Sequence, residues 1–246
     1  MIYTKYDASG NDFVIFHTNT RKDYSDLAIQ LCSKEYFDTD GLIVIIPHET
    51  LDFEWLFYNN DGSVASMCGN GTRAVAHYAY TNELVKKDCT FLTLAGEISC
   101  EVRGNIVQTQ MTKPIRIKEA FIEDNYDCFI VDTGVPHVVV MVEDLEEFNL
   151  EVCAKFRKKY DANVNFAKVS DNKLYVRTFE RGVEGETLAC GTGMVACFIR
   201  ANELNLVSND IEVYPKSKEL INIKKQNNNL YFKGAVKQIE KRQLNI

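Results

Sequence analysis

The sequence predicts an α+β fold of two pseudo-symmetric domains, each a curved, largely antiparallel sheet around a central buried helix, with the active site in the interdomain cleft. Three observations predict it. Met67-Cys68-Gly69-Asn70-Gly71-Thr72 and Ala189-Cys190-Gly191-Thr192-Gly193-Met194 are two versions of one C-G-x-G motif, with cysteines 122 positions apart in a chain of 246 residues. Each motif runs into an apolar segment of helix length. Many short stretches rich in β-branched and aromatic residues surround them, with the pattern of strands.

The elements repeat in the same order. Gly10-Asn11-Asp12-Phe13-Val14-Ile15 is a glycine turn feeding a strand, and Gly134-Val135-Pro136-His137-Val138-Val139 matches it 124 positions later. Ser25 is expected to cap a helix carrying Leu27, Ala28, Leu31 and Cys32, and Asn149 one carrying Val152, Cys153 and Phe156. Short polar side chains at such places accept a first-turn N–H. Asp40-Gly41-Leu42-Ile43-Val44 and Ala162-Asn163-Val164-Asn165-Phe166 open strands. Further strands are read at 53–58, 98–102, 174–178 and 211–214. The segments after the cysteines (Ala74, Val75, Ala76, Tyr78, Ala79; Met194, Val195, Ala196, Phe198, Ile199) are apolar nearly all round, so both helices should be buried. Gln226-Asn227-Asn228-Asn229 reads as a turn between late strands. The join falls near Thr112-Lys113-Pro114, giving one domain of 1–113 plus about 235–246 and a second of 114–234.

Composition narrows the function. A net charge of −7 argues against a nucleic-acid partner and an acidic membrane surface, both of which need a basic face. The N-terminus has no signal-peptide core, and runs such as Leu42-Ile43-Val44-Ile45-Ile46 are too short to span a bilayer, so a cytoplasmic protein is expected. Eight cysteines without a signal peptide are expected to be reduced, and the lack of a CxxC pair argues against structural zinc. Cys32, Cys89, Cys100, Cys128, Cys153 and Cys197 read as fillers, Cys197 clearly of the core. His17, His48 and His77 carry no functional reading. Arg157-Lys158-Lys159 and Asp161 read as a solvated helix end whose positive charge complements the dipole.

Cys68 and Cys190 need a different explanation. The glycines after each let the backbone approach a ligand closely. The helix start offers unpaired N–H groups and a positive dipole end, where a carboxylate docks and a thiolate is favoured. Two like domains place one thiol on each wall of a cleft. Inverting a stereocentre without a cofactor needs such a pair, one removing the α-proton from one face and the other delivering a proton to the opposite face. Negative charge developing on the carboxylate is stabilised by the same donors, more strongly if water is excluded.

These residues resemble the diaminopimelate epimerase family along most of the chain. Lys5-Tyr6-Asp7-Ala8-Ser9-Gly10-Asn11-Asp12-Phe13 is similar to its N-terminal motif. Asn59-Asn60-Asp61-Gly62-Ser63 with Cys68-Gly69-Asn70-Gly71-Thr72-Arg73 is similar to its first active-site loop. The run from Phe179-Glu180-Arg181-Gly182 to Ala189-Cys190-Gly191-Thr192-Gly193 is similar to its second and is the most specific match. The resemblance implies interconversion of L,L- and meso-diaminopimelate in lysine and peptidoglycan biosynthesis, without PLP, another cofactor or a metal, by a small-molecule enzyme that forms a homodimer. It implies that Cys68 deprotonates the L,L isomer and Cys190 the meso isomer. Gly69, Asn70, Gly191 and Thr192 hold the reacting carboxylate. Asn11, Asn59, Asn163 and Arg181 grip the substrate, Glu180 binds an ammonium group, and Glu180 and His137 tune the thiols. The sequence departs from the family at Val135, where an asparagine often touches substrate, and at Ala74, where many members carry a further cysteine. Two alternatives stay open at this point: a related two-cysteine racemase of proline or hydroxyproline, and a redox switch in which Cys68 and Cys190 form a disulfide. Taken singly, Asn11 also reads as a turn residue, His137 as a satisfied core histidine, and Glu180-Arg181 as a surface ion pair.

Overall fold

A computed structural model describes residues 1–245. The chain forms two compact units, the first from Met1–Gln110 with the segment from Gly234 onward, the second from Met111–Lys233.

In the first unit β1 (Ile2–Ala8) turns through Ser9 and Gly10, both at positive φ, into antiparallel β2 (Asn11–His17). Helix α1 (Ser25–Cys32) follows, then β3 (Gly41–Ile46) parallel to β2 and β4 (Phe53–Asn59) antiparallel to β3. β3 is apolar and buried at every position, the mark of a strand covered on both faces. Alternation explains how. Val14, Phe16, Leu42, Val44 and Ile46 pack with Ala28, Leu31 and Cys32 of α1. The opposite face, with Ile43, meets α2 (Gly69–Thr81). β5 (Asp88–Thr93), β6 (Gly96–Arg103) and β7 (Ile106–Gln110) complete this run, β5 lying parallel to β4 and the rest antiparallel. α2 packs on β1, β2 and β3 and also on β6 and β7, so the sheet curls around it.

The second unit repeats this order. β8 (Ile115–Glu123) and β9 (Tyr126–Asp132) pair antiparallel, and β9 pairs in turn with β10 (Pro136–Met141). A short 3-10 turn at Leu145–Glu147 leads to α3 (Leu150–Tyr160). β11 (Asn163–Ser170) lies parallel to β10, and β12 (Lys173–Glu180) antiparallel to β11. A three-residue β13 (Gly185–Thr187), matched in the first unit by the single antiparallel bridge of Tyr58 with Val64, precedes α4 (Gly191–Glu203). β14 (Asp210–Tyr214) runs parallel to β12, and β15 (Ile221–Gln226) and β16 (Asn229–Ala235) follow. Asn227 and Asn228, both at positive φ, make the two-residue hairpin expected at 226–229. Val138, Val140, Val164 and Phe166 pack under Cys153 and Phe156 of α3. α4 covers the opposite face, against β9, β10, β11 and β12. Last, β17 (Lys237–Gln243) returns to the first unit and pairs with β1. Both units are thus curved, mainly antiparallel sheets around a buried helix, as expected.

One cap differs from expectation. Ser25 is the first residue of α1, not its cap; Tyr24 holds that place without a side-chain cap bond. Asp23 instead accepts from the Ser25 N–H at 2.9 Å and from its hydroxyl, which occupies the serine and starts the helix one residue early. Asn149 caps α3 as expected, accepting from the N–H groups of Glu151 and Val152. Among the described residues no helix is long and apolar enough to cross a membrane.

Candidate active site

Both motif cysteines stand at the same structural position. Cys68 and Cys190 are the N-cap residues of α2 and α4, in extended conformation (φ −148° and −123°). In each helix the cap carbonyl accepts the first intrahelical bond, from Thr72 at 2.9 Å and from Met194 at 3.0 Å. The N–H groups of Gly69 and Asn70, and of Gly191 and Thr192, therefore belong to the open first turn, where an anion binds. Sulfur at an N-cap lies beside these donors. Cys68 Sγ accepts from Gly71 N–H at 3.4 Å, and Cys190 Sγ lies 3.5 Å from Thr192 Oγ1. Cys68 is half-buried and Cys190 buried.

The other six cysteines have a different character. Burial pushes Cys32 up to about 11, and Cys100, Cys128 and Cys153 up to about 12. Cys89 and Cys197 are raised by burial as well. These are apolar thiols of the core, held protonated and unreactive.

Around Cys68 the first unit builds a polar network. Asn70 donates to Asn11 Oδ1 at 2.5 Å, and Asn11 donates to Asp40 at 3.1 Å. The Asp40 carboxylate also takes the Asp12 N–H at 3.0 Å. Arg73 is fully buried; it donates to Asn70 Oδ1 at 2.7 Å, to Ser9 Oγ at 2.6 Å and to the Ala235 carbonyl at 2.8 Å. Asn59, at the end of β4, donates to Ser63 Oγ at 2.9 Å, which holds the loop leading to the motif. Asn11 and Asn70 are thus brought together, while the Asn59 side chain bonds within its own loop.

Around Cys190 the second unit builds a different one. His137 on β10 is fully buried, its Nε2 2.9 Å from Thr192 Oγ1 and its Nδ1 3.0 Å from Asn165 Nδ2. Burial, helped by the positive charge of Arg181, lowers its pKa to about 3, so the ring is neutral at physiological pH. Thr133 donates to the Thr192 carbonyl at 2.9 Å. Asn163 Oδ1 accepts from the Arg181 N–H at 2.8 Å, fixing the start of the loop after β12. The Arg181 guanidinium rests on Asp161, donating to its carbonyl at 2.8 Å and its carboxylate at 3.1 Å. Asp161 sits at positive φ as the C-cap of α3, so the expected solvated helix end also anchors Arg181. Glu180, half-buried, ends β12 next to it.

Sequence reasoning missed Arg73, Asp40, Thr133 and Asn165. Asn165 had a usable signal: it lies two residues from Asn163 on one strand, hence on the same face, within an otherwise apolar run. Among the described residues no three His, Cys, Asp or Glu side chains converge as a metal site.

Known proteins resemble this chain in sequence and in fold. A sequence profile of the diaminopimelate epimerase family matches residues 3–117 and 129–239. The chain is 51% identical over 241 residues to the diaminopimelate epimerase of Nitratiruptor sp., covering 97% of this chain and 96% of that one. It is 50% identical over 239 residues to that of Campylobacter lari, covering 96% of both, and 39% identical over 259 residues to that of Helicobacter pylori, covering 97% of this chain and 94% of that one. Among solved structures, a hydroxyproline epimerase from Agrobacterium vitis superposes with a TM-score of 0.78 at 11% identity, covering 98% of this chain and 91% of that one. A Bacillus anthracis protein of the PhzF family superposes with a TM-score of 0.74 at 16% identity, covering 100% and 99%. At such identities the likeness is one of fold.

Proposed function

The chain belongs to the diaminopimelate epimerase family and is an epimerase, and from that premise we propose that it interconverts L,L- and meso-diaminopimelate with Cys68 and Cys190 as the acid–base pair. One thiolate takes the α-proton from one face; the other thiol gives its proton to the opposite face, and the two cysteines exchange protonation states. With the L,L isomer Cys68 is the base, with the meso isomer Cys190. The α-carboxylate docks on the first-turn N–H groups of Gly69 and Asn70 and of Gly191 and Thr192, which also carry the charge that moves onto it as the proton leaves. Asn11, Asn59 and Asn163 position the substrate, Glu180 takes an ammonium group, and Arg181 leaves Asp161 to grip a carboxylate with its planar fork. His137 and Glu180 set the thiols' readiness to ionise. The place of this reaction is lysine and peptidoglycan precursor supply.

The observation that carries the reading is the thiol at the N-cap of a glycine-opened helix, built twice in one chain. The test is solvent deuterium incorporation at the α-carbon of L,L-diaminopimelate under reductant, for wild type, Cys68→Ala and Cys190→Ala. Incorporation by wild type, with net epimerisation lost in both variants, is expected. No incorporation by folded, reduced wild type would sink the substrate assignment, and proline would be tried next.

A further inference from the structure

The Cys190 network fixes hydrogen positions. Asn165 Nδ2 lies 3.1 Å from the Val138 carbonyl, which can only accept, so the amide nitrogen must be on that side. Its oxygen takes the Thr178 hydroxyl at 2.9 Å. One amide hydrogen serves Val138; the other points at His137 Nδ1. A neutral ring that accepts at Nδ1 carries its proton on Nε2. That proton goes to Thr192 Oγ1, which leaves the threonine's own hydrogen for Cys190 Sγ.

We propose that Asn165 is a positioning residue for Cys190, fixing the Nε2–H tautomer of His137 so that Thr192 presents its hydroxyl proton, and not a lone pair, to the sulfur. The chain of donors favours the thiolate of Cys190 without adding a charge to the site. Arg181 is a charged group that acts on His137, and Cys197, a buried thiol two turns along α4, is a titratable neighbour of Cys190.

Two further observations support this. A β-carbon at Gly193 would collide with Asn165 Oδ1, so the second glycine of the motif is what admits the amide to the helix start. In the first unit the same register positions hold Phe13 and Ile43: Phe13 pairs with Gly41 as His137 pairs with Asn163, and a β-carbon on Gly71 would meet Ile43 Cδ1 at 3.3 Å. Phenylalanine and isoleucine carry no donor, so this relay serves Cys190 and not Cys68. The assignment rests on the two-thiol reading above, but its test does not require turnover.

The test uses the full-length protein. Nitrogen-15 labelling of its four histidines, with His137 assigned through His137→Gln, reads the tautomer directly. A proton on Nε2 and a bare Nδ1, unchanged from about pH 5 to about pH 9 across the ordinary imidazole value, are expected. A proton on Nδ1, or a ring that titrates in this range, would overturn the proposal. Iodoacetamide alkylation with peptide mass spectrometry then separates the two thiols. In Asn165→Leu, a midpoint raised by about one pH unit should slow alkylation of Cys190 about tenfold near neutrality, with the Cys68 profile unmoved. Thr192→Val should reproduce the shift, and the double variant should not exceed it. Equal shifts at both cysteines, or additive single variants, would show a merely structural asparagine.

Discussion

At the level of single residues, what decides the chemistry is which atom each polar group offers its neighbour. His137 is held neutral because burial removes water from the ring and Arg181 opposes a second positive charge. Its folded pKa lies below the ordinary value, so the unfolded chain binds the extra proton first. Stability from this group is full above about pH 6.5 and falls as acid is added, by up to about 1.4 kcal/mol per pH unit. His77, also lowered by burial, adds to the same limb, so the comparison must be between variants. Urea melts of His137→Gln should show a shallower loss than wild type between about pH 6.5 and about pH 5, a window above ordinary carboxylates. An unchanged slope would mean that the ring ionises in the folded state. The cysteines and Thr192 were legible in the sequence because a repeated motif marks them. Arg73 was not, since its role depends on a carbonyl at Ala235 that adjacency does not reveal, and the alternation that puts Asn165 on the face of Asn163 does not show that strand register sets it beside His137.

Among the elements, the two helix starts look alike but differ in tolerance. Gly71 would place a β-carbon 3.3 Å from Ile43 Cδ1 and 3.4 Å from Trp55 Cζ3, contacts that a small shift relieves. Gly193 would place one on the amide oxygen that ties β11 to β12 through Thr178. Gly193→Ala should therefore lower the urea midpoint by the equivalent of about 1–3 kcal/mol, with Gly71→Ala markedly milder; the reverse order would contradict the packing. The caps differ too. Asn149→Ala should cost about 1 kcal/mol, whereas Ser25→Ala should cost less than Asp23→Ala, because the aspartate holds the turn. Helix positions and most strands followed from periodicity. Ser25 misled because a good capping residue was already engaged by its neighbour.

For the molecule as a whole, the repeat of 122–124 positions read in the sequence becomes a correspondence of elements: β1–β7 with β9–β12 and β14–β16, α1 with α3, and α2 with α4. One pair escaped notice. β17 stands to β1 as β8 stands to β9, yet one ends its unit's sequence and the other begins it. Both are largely exposed, and β17 carries a single apolar residue, Ile239, so no alternation marks it as a strand. Deleting residues 237–246 should strip hydrogen-exchange protection from β1, followed by mass spectrometry, while α3 and β11 keep theirs; uniform loss would show that the units do not unfold separately. The pairing of Ile2 with Gln243 also bears on how the protein is made. The ribosome finishes every strand of the second unit before it releases the one that closes the first. A nascent chain can therefore settle its later half early, while the residues around Cys68 wait for translation to run on past them.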